Sequence, residues 1–113
     1  MIDGFYSIFF TGVSGQGFGV IVLKDGILVG ADNTGGSYDG HYTVNNEKQF
    51  LIGEVVLNAP PGIQLVTGAA TGSEPASWVM PLSLPPDFGN GRAFPMKTPT
   101  GPINIIFRKL RDI

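Results

Sequence analysis

The stretch Phe18–Val44, FGVIVLKDGILVGADNTGGSYDGHYTV, decides how this chain folds. At its centre, Asp25-Gly26 stands between two runs of apolar and β-branched residues. A two-residue type I′ turn needs φ > 0 at both central positions, and Asp and Gly tolerate that best. The pair predicts a tight antiparallel hairpin of Phe18–Lys24 with Ile27–Asp32. A third strand follows at Ser37–Val44. Side chains alternate along a strand, so Tyr38, Gly40, Tyr42 and Val44 share one face and Asp39, His41 and Thr43 the other. A meander of three strands is the seed.

Upstream, Gly4–Thr11 is rich in aromatic and β-branched residues and reads as the first strand. Its Phe5, Ser7 and Phe9 alternate with Tyr6, Ile8 and Phe10, so both faces carry large apolar groups. A strand with one solvated face shows a cleaner alternation. Either the second face is covered, or it belongs to a subunit interface; the second strand has the same two-sided character. Self-association as a homodimer is the expectation. Between these strands, the glycines of Gly12–Gly17 lack a following Lys-Ser/Thr and a helix start, so they read as a loop and not as a phosphate cradle.

Downstream, Gln49–Asn58 forms a long strand whose interior Gly53 marks a bulge or a barrel corner. Pro60-Pro61-Gly62 stops it, and Ile63–Thr71, with Gly68 at its middle, reads as a sixth strand. Ser77–Leu84 is interrupted by Pro81, which places it at an edge or a bulge. A turn near Asn90-Gly91 leads to a short strand at Arg92–Met96, and Ile103–Leu110 is the last strand. No segment of ten or more residues carries a 3.6-residue apolar period. The fold class is therefore all-β, in one domain over residues 1–113, built of about eight or nine strands. Near-even spacing with short turns favours a small antiparallel up-and-down barrel or a strongly bent meander. Closure would remove edges that so apolar a sheet cannot safely expose.

Composition narrows the function classes. Apolar residues make up 42%, enough for a core, whereas charged residues are only 14% against about 25% in typical domains. A net charge of −2 gives no reason to expect direct nucleic-acid binding, although five of the seven basic residues fall within the last 22 positions. The absence of cysteine excludes disulfides, thiolate metal sites and a Cys nucleophile. The sequence begins without a basic n-region or an apolar h-region, and its longest aliphatic run, Val20–Leu23, is far short of a membrane span. A cytoplasmic protein with no membrane association is expected.

Chemistry-bearing residues are sparse. His41 is the single histidine and shares a strand face with Asp39, but no Gly-x-Ser-x-Gly elbow or other nucleophile signature accompanies it. Asp32, Asn33 and Asp39 lack EF-hand spacing, so Asp32–Gly36 reads as a turn closed by its own side chains. No metal site and no cofactor is expected. Glu54 shares a face with Phe50, Ile52 and Val56, which makes it a candidate ligand contact or general acid; an ion pair or a solvated position is the competing reading. Tyr38, Tyr42 and Trp78 are, with Glu54, the candidates for lining a cavity that takes a small apolar ligand. Aromatic side chains more commonly fill so small a barrel.

A set of short motifs adds a family. Asp3-Gly4-Phe5-Tyr6-Ser7-Ile8, Gly17-x-Gly19, Lys24-Asp25-Gly26, Gly30-Ala31-Asp32 and Tyr38-Asp39-Gly40-x-Tyr42 resemble, in order and spacing, the GrlR-like proteins. These take their name from a negative regulator of type III secretion genes in enteric bacteria. The likeness covers roughly residues 3–52. It implies a small calycin-like (lipocalin-like) β-barrel, able to dimerise, without catalytic activity, that sequesters a partner protein, a transcriptional activator. That family's acidic Glu-Asp-Glu-Asp stretch corresponds here to Val44-Asn45-Asn46-Glu47, with one acid in four. The resemblance thus implies Asn45, Asn46 and Glu47 as the partner-binding positions, with Glu47 alone keeping the charge.

Overall fold

The computed structural model describes residues 2–113. Eight strands follow one another: β1 Gly4–Gly12, β2 Gly15–Lys24, β3 Ile27–Asp32, β4 Ser37–Val44, β5 Leu51–Ala59, β6 Ala76–Leu84, β7 Asn90–Thr98 and β8 Gly101–Asp112. All pairings are antiparallel within one sheet of order β6-β5-β4-β3-β2-β1-β8-β7. Each pairing joins chain neighbours except that of β1 with β8. This is the expected up-and-down architecture, curled into an elongated body of 43 × 24 × 24 Å. The deciding hairpin forms as the sequence implies: Lys24 opposes Ile27, and Asp25 and Gly26 have φ of 50° and 82°.

What curls the sheet is a line of glycines on its concave face. Gly19 opposes Asp32, and Gly30 lies two residues lower on β3. Gly30 opposes Tyr38, with Gly40 two residues lower on β4. Gly40 opposes Val55, with Gly53 two residues lower on β5. One strand across is about 4.8 Å and two residues along about 6.6 Å, so the line crosses the strands at about 36°. That matches the tilt of about 35–45° between strand and barrel axis, so the glycines lie along the axis as a fold line. A Cβ at Gly30 would stand 2.5 Å from the Val20 carbonyl, and one at Gly40 would meet the Glu54 carbonyl and lie 2.9 Å from Val55 Cα. At Gly53 it would run into the His41 carbonyl, and at Gly19 into that of Ala31. None of the four has positive φ; what they supply is room for neighbouring backbones. The pairing of β5 is unbroken on both sides, so Gly53 marks a corner and not a bulge.

The concave face is filled by Tyr6, Ile8 and Phe10 of β1, Ile21 and Leu23 of β2, Leu28, Tyr42, Leu51 and Val55, and Ile105 and Phe107 of β8. One end, where β1 begins, is plugged by Phe88 from the β6–β7 connection. Its ring stacks on Tyr6 at 5.2 Å and meets Phe107 edge-on at 5.4 Å. The side chains of Leu23, Leu51 and Leu84 have no solvent contact there.

The opposite end is covered by residues 60–75, and here the expected sixth strand is corrected. Ile63–Thr71 is not a strand of the sheet. It folds back on itself, with a single bridge Gln64–Ala70 and backbone bonds from Leu65 N to Ala69 O (2.7 Å) and Gly68 N to Leu65 O (3.0 Å). Gly68 has φ of 99°, a left-handed conformation that turns the chain where a strand would continue. The turn drives Leu65 and Val66 into the barrel end, where both are buried.

The barrel is not closed by hydrogen bonds, because β6 and β7 do not pair. Pro81 of β6 opposes Glu54 and Pro95 of β7 opposes Asn104. Each proline removes a donor in the middle of its free edge, which protects the edges without pairing them. The edge position expected for the Pro81 strand is what the sheet shows.

The fold line predicts that Gly40→Val lowers stability by about 1–3 kcal/mol, the usual cost of overpacking a closed site. Denaturant unfolding checks it; an unchanged midpoint would mean that the sheet does not bend there.

Candidate functional site

Two places on the molecule have the makings of a binding site: a cavity inside the end covered by residues 60–75, and the convex surface of β1–β3.

The cavity has a volume of about 110 Å³. Its walls are Ile8, Ile21, Leu28 and Val55, with Trp78 and Met80 from β6. Leu65 and Val66 close it from the covering loop, and Thr67, Thr98 and Thr100 stand at its mouth. The Thr67 and Thr100 hydroxyls are 2.9 Å apart, and Ser14 N donates to Val66 O at 2.8 Å. These bonds hold the covering loop to the β1–β2 and β7–β8 turns. No charged side chain lines the cavity.

Tyr38 brings a further polar group with a fixed orientation. Its ring lines the cavity, while its hydroxyl donates to Asp32 Oδ2 outside it. Asp32 is fully engaged: Oδ1 accepts from Thr34 N (3.0 Å), Thr34 Oγ1 (2.6 Å) and Gly36 N (3.0 Å). The Asp32–Gly36 turn is thus closed by its own side chain, as its composition implies. Among the described residues no group of three or more His, Cys, Asp or Glu side chains is placed to hold a metal ion.

Of the four cavity candidates, Tyr38 and Trp78 line the wall and the other two do not. Tyr42 is buried at the opposite end, its hydroxyl donating to Asp3 Oδ1 at 2.9 Å. It shares the inner face with Tyr38, but four residues of strand carry it to the far plug. Glu54 is exposed on the convex face opposite His41. Gly53 precedes it on the inner side, so Glu54 points away from the cavity. The wall residues that sequence reasoning missed are Leu65 and Val66, just before the turn at Gly68 in a stretch of strand composition, and Met96 on the edge strand; a glycine at position 68, able to turn the chain, was the one available signal.

Asn45, Asn46 and Glu47 form the β4–β5 turn. Asn45 Oδ1 accepts from Glu47 N (2.9 Å) and Lys48 N (3.0 Å), so its side chain is spent on closing the turn. Asn46 and Glu47 are exposed.

The second place is the convex face. Phe5, Phe9, Phe18, Val20, Ile27 and Val29 are 37–60% exposed, and they are contiguous. Phe9 opposes Phe18 and Phe5 opposes Val22, Val22 opposes Val29 and Val20 opposes Ala31, and Ile106 extends the row beyond Phe9. Four strands wide (β8, β1, β2 and β3) and four outward residues long, the patch projects to about 300 Å² from sheet spacings. Isolated exposed apolar residues need no explanation, whereas a contiguous patch of that size is of the kind that forms a monomer's largest apolar patch and is often functional. The two-sided character of the first two strands is this surface.

No helix occurs among the described residues, hence none long and apolar enough to cross a membrane. Comparison with protein-family models, curated proteins and solved structures returns no match.

All three tyrosines hold their protons tightly. Burial, then the charges of Asp112 and Asp3, pushes Tyr6 up to about 12. Burial and the Asp3 hydrogen bond push Tyr42 up to about 12, and burial with the Asp32 bond raises Tyr38 further. Each binds its proton more tightly folded than unfolded, so their stabilisation is full below pH 10 and lost as pH rises through about 12. In an alkaline titration, tyrosinate absorbance is expected to appear only together with loss of the β-sheet circular dichroism. A midpoint near 10 in still-folded protein would contradict these placements.

Proposed function

We propose that this chain is a non-enzymatic protein-binding module whose working surface is the convex face of β1–β3. The observation that carries this reading is the contiguous exposed patch Phe5, Phe9, Phe18, Val20, Ile27 and Val29. A sheet already packed on its concave face gains nothing by exposing apolar groups on the other unless they are covered in the working state. The side chains that sequence offers for acid–base work, Asp39, His41 and Glu54, are exposed on the same convex side and not in the cavity. The GrlR resemblance supports one class of partner, a transcriptional activator held away from its target by a negative regulator in a bacterial cytoplasm. In that reading Asn46 and Glu47 supply polar contacts from the β4–β5 turn. The test is affinity capture from the native host with wild-type protein and with Val29→Lys as baits. A partner retained by the first and lost by the second is expected; equal retention would remove the convex face from the function.

A second reading is favoured by the cavity, whose walls are apolar and carry no charge, with hydroxyls only at its mouth. At about 110 Å³ it is smaller than the roughly 150 Å³ engineered cavity that takes benzene, and below the roughly 300 Å³ at which drug-sized sites begin. It suits a small apolar ring and excludes a lipid chain while residues 60–75 stay in place. Benzene is expected to raise the melting temperature of the wild type and not of a cavity-filling Leu57→Trp variant. If it raises neither, the cavity is a packing gap.

A further inference from the structure

We infer that the cavity is entered sideways, through the open seam between β6 and β7, and that its ligand is an arylalkanoate: a ring for the cavity, a short chain through the seam, and a carboxylate held outside by Lys97. This rests on the second reading above, the ring-binding cavity, and adds a route and a head group to it.

The two free edges of the sheet stand apart. Cα atoms of β6 and β7 lie more than 8 Å from one another along nearly all of their length, against about 4.8 Å between paired strands. A groove of about 590 Å³ runs between them, lined by Ile52, Pro81, Pro85, Phe94 and Pro95. Leu82 and Met96 line it as well, and the same two side chains line the cavity. The partition between groove and cavity is thus made of side chains and not of paired backbone. Met96 is unbranched, with three rotatable bonds, and turns aside at little cost. The cover is bonded instead, through Thr67–Thr100 at 2.9 Å and Ser14 N to Val66 O at 2.8 Å. Lifting it breaks both bonds, whereas passing the seam breaks neither.

The prolines decide against a peptide in this groove. Pro81 and Pro95 stand on opposite walls, and each interrupts the donors of its edge, so an added strand would find no continuous ladder. The polar side chains of the groove are Ser83 on β6 and Lys97 on β7, both exposed. Among the described residues the ion pairs are Arg92–Asp87 and Lys109–Asp112, so Lys97 has no carboxylate partner. Glu54 opposes Pro81 but does not line the groove. An ammonium donates three hydrogen bonds and accepts none, and a serine hydroxyl donates one more. That pair calls for an anionic acceptor. Lys97 follows Met96 directly along β7, so the charge stands at the gate. The cavity has room for a ring and no more, whereas the groove falls within the roughly 300–1,000 Å³ of ordinary ligand sites. A molecule that fills both puts its ring inside, its chain past Met96 and its carboxylate at Lys97.

Trp78 is the single tryptophan and lines the cavity, so its fluorescence reports arrival of the ring, while calorimetry gives the affinity. The probe is 4-phenylbutanoate, with butylbenzene as its uncharged counterpart. Lys97→Gln is expected to weaken 4-phenylbutanoate by about five-fold, the upper end for an exposed ion pair, and to leave butylbenzene unchanged, which a merely unfolded variant would not do. Lys97→Glu is expected to turn the preference toward 4-phenylbutan-1-amine. Leu57→Trp, which fills the cavity, is expected to lose 4-phenylbutanoate; retention overturns the placement of the ring. The chain has no cysteine, so Thr67→Cys/Thr100→Cys staples the cover when oxidised. Equal rates of fluorescence change in the oxidised and reduced forms are expected; slowing on oxidation overturns the lateral route. If benzene and butylbenzene bind but 4-phenylbutanoate is indifferent to the charge at position 97, the head group is overturned and the ring-binding cavity stands without it. If none of the three binds, both fall.

Discussion

Everything in this structure depends on the sheet being able to bend along one line. Eight strands wrap a core only if neighbouring backbones approach on the concave side, and there a Cβ is an obstacle. Gly19, Gly30, Gly40 and Gly53 remove it on four successive strands, displaced by two residues each time. The line follows the barrel axis because strands tilt when a sheet curls. Their side of the sheet then faces inward everywhere, which commits the alternate residues of β1–β3 to the outside. The exposed apolar surface is thus a consequence of where the glycines stand.

The two ends are closed by different means. At one, aromatic stacking between Tyr6, Phe88 and Phe107 and the Tyr42–Asp3 bond make a dense plug. At the other, residues 60–75 form a cover held by two anchoring contacts, Thr67–Thr100 and Ser14–Val66. The dense end buries Leu23, Leu51 and Leu84 completely, whereas the covered end leaves the apolar cavity. Stability is accordingly concentrated at the first end, and local opening belongs to the second.

Features set by nearest neighbours were legible in the sequence. Asp25-Gly26 fixes its turn through φ alone, Pro81 forbids a central strand, and alternation assigns Tyr38 and Tyr42 to one face. What alternation could not give is position along the barrel axis, and so Tyr38 reaches the cavity while Tyr42 joins the plug. Glu54 was misleading because Ile52 and Val56, its apolar companions on one face, lie on the outside, where apolarity is not burial. Ile63–Thr71 has strand composition but folds back on itself at Gly68, a conformation that composition does not encode. The order and spacing of the glycines carried more information than any single one of them.

The pairing of β1 with β8 also governs the order in which the molecule assembles. Every other pairing links chain neighbours, but Gly4 meets Asp112 and Ile8 meets Phe107, across nearly the whole chain. Closing a loop of that length costs roughly 4 kcal/mol beyond the constant term, so the strands from β1 to β6 can zip from local hairpins before the β7–β8 hairpin docks. Until it does, β1 presents an unpaired edge with large apolar groups on both faces, the kind of edge that recruits foreign strands. Arrival of the last hairpin is therefore the step that separates a folded barrel from an aggregate, and the chain's hazard during synthesis lies in its first strand waiting for its last.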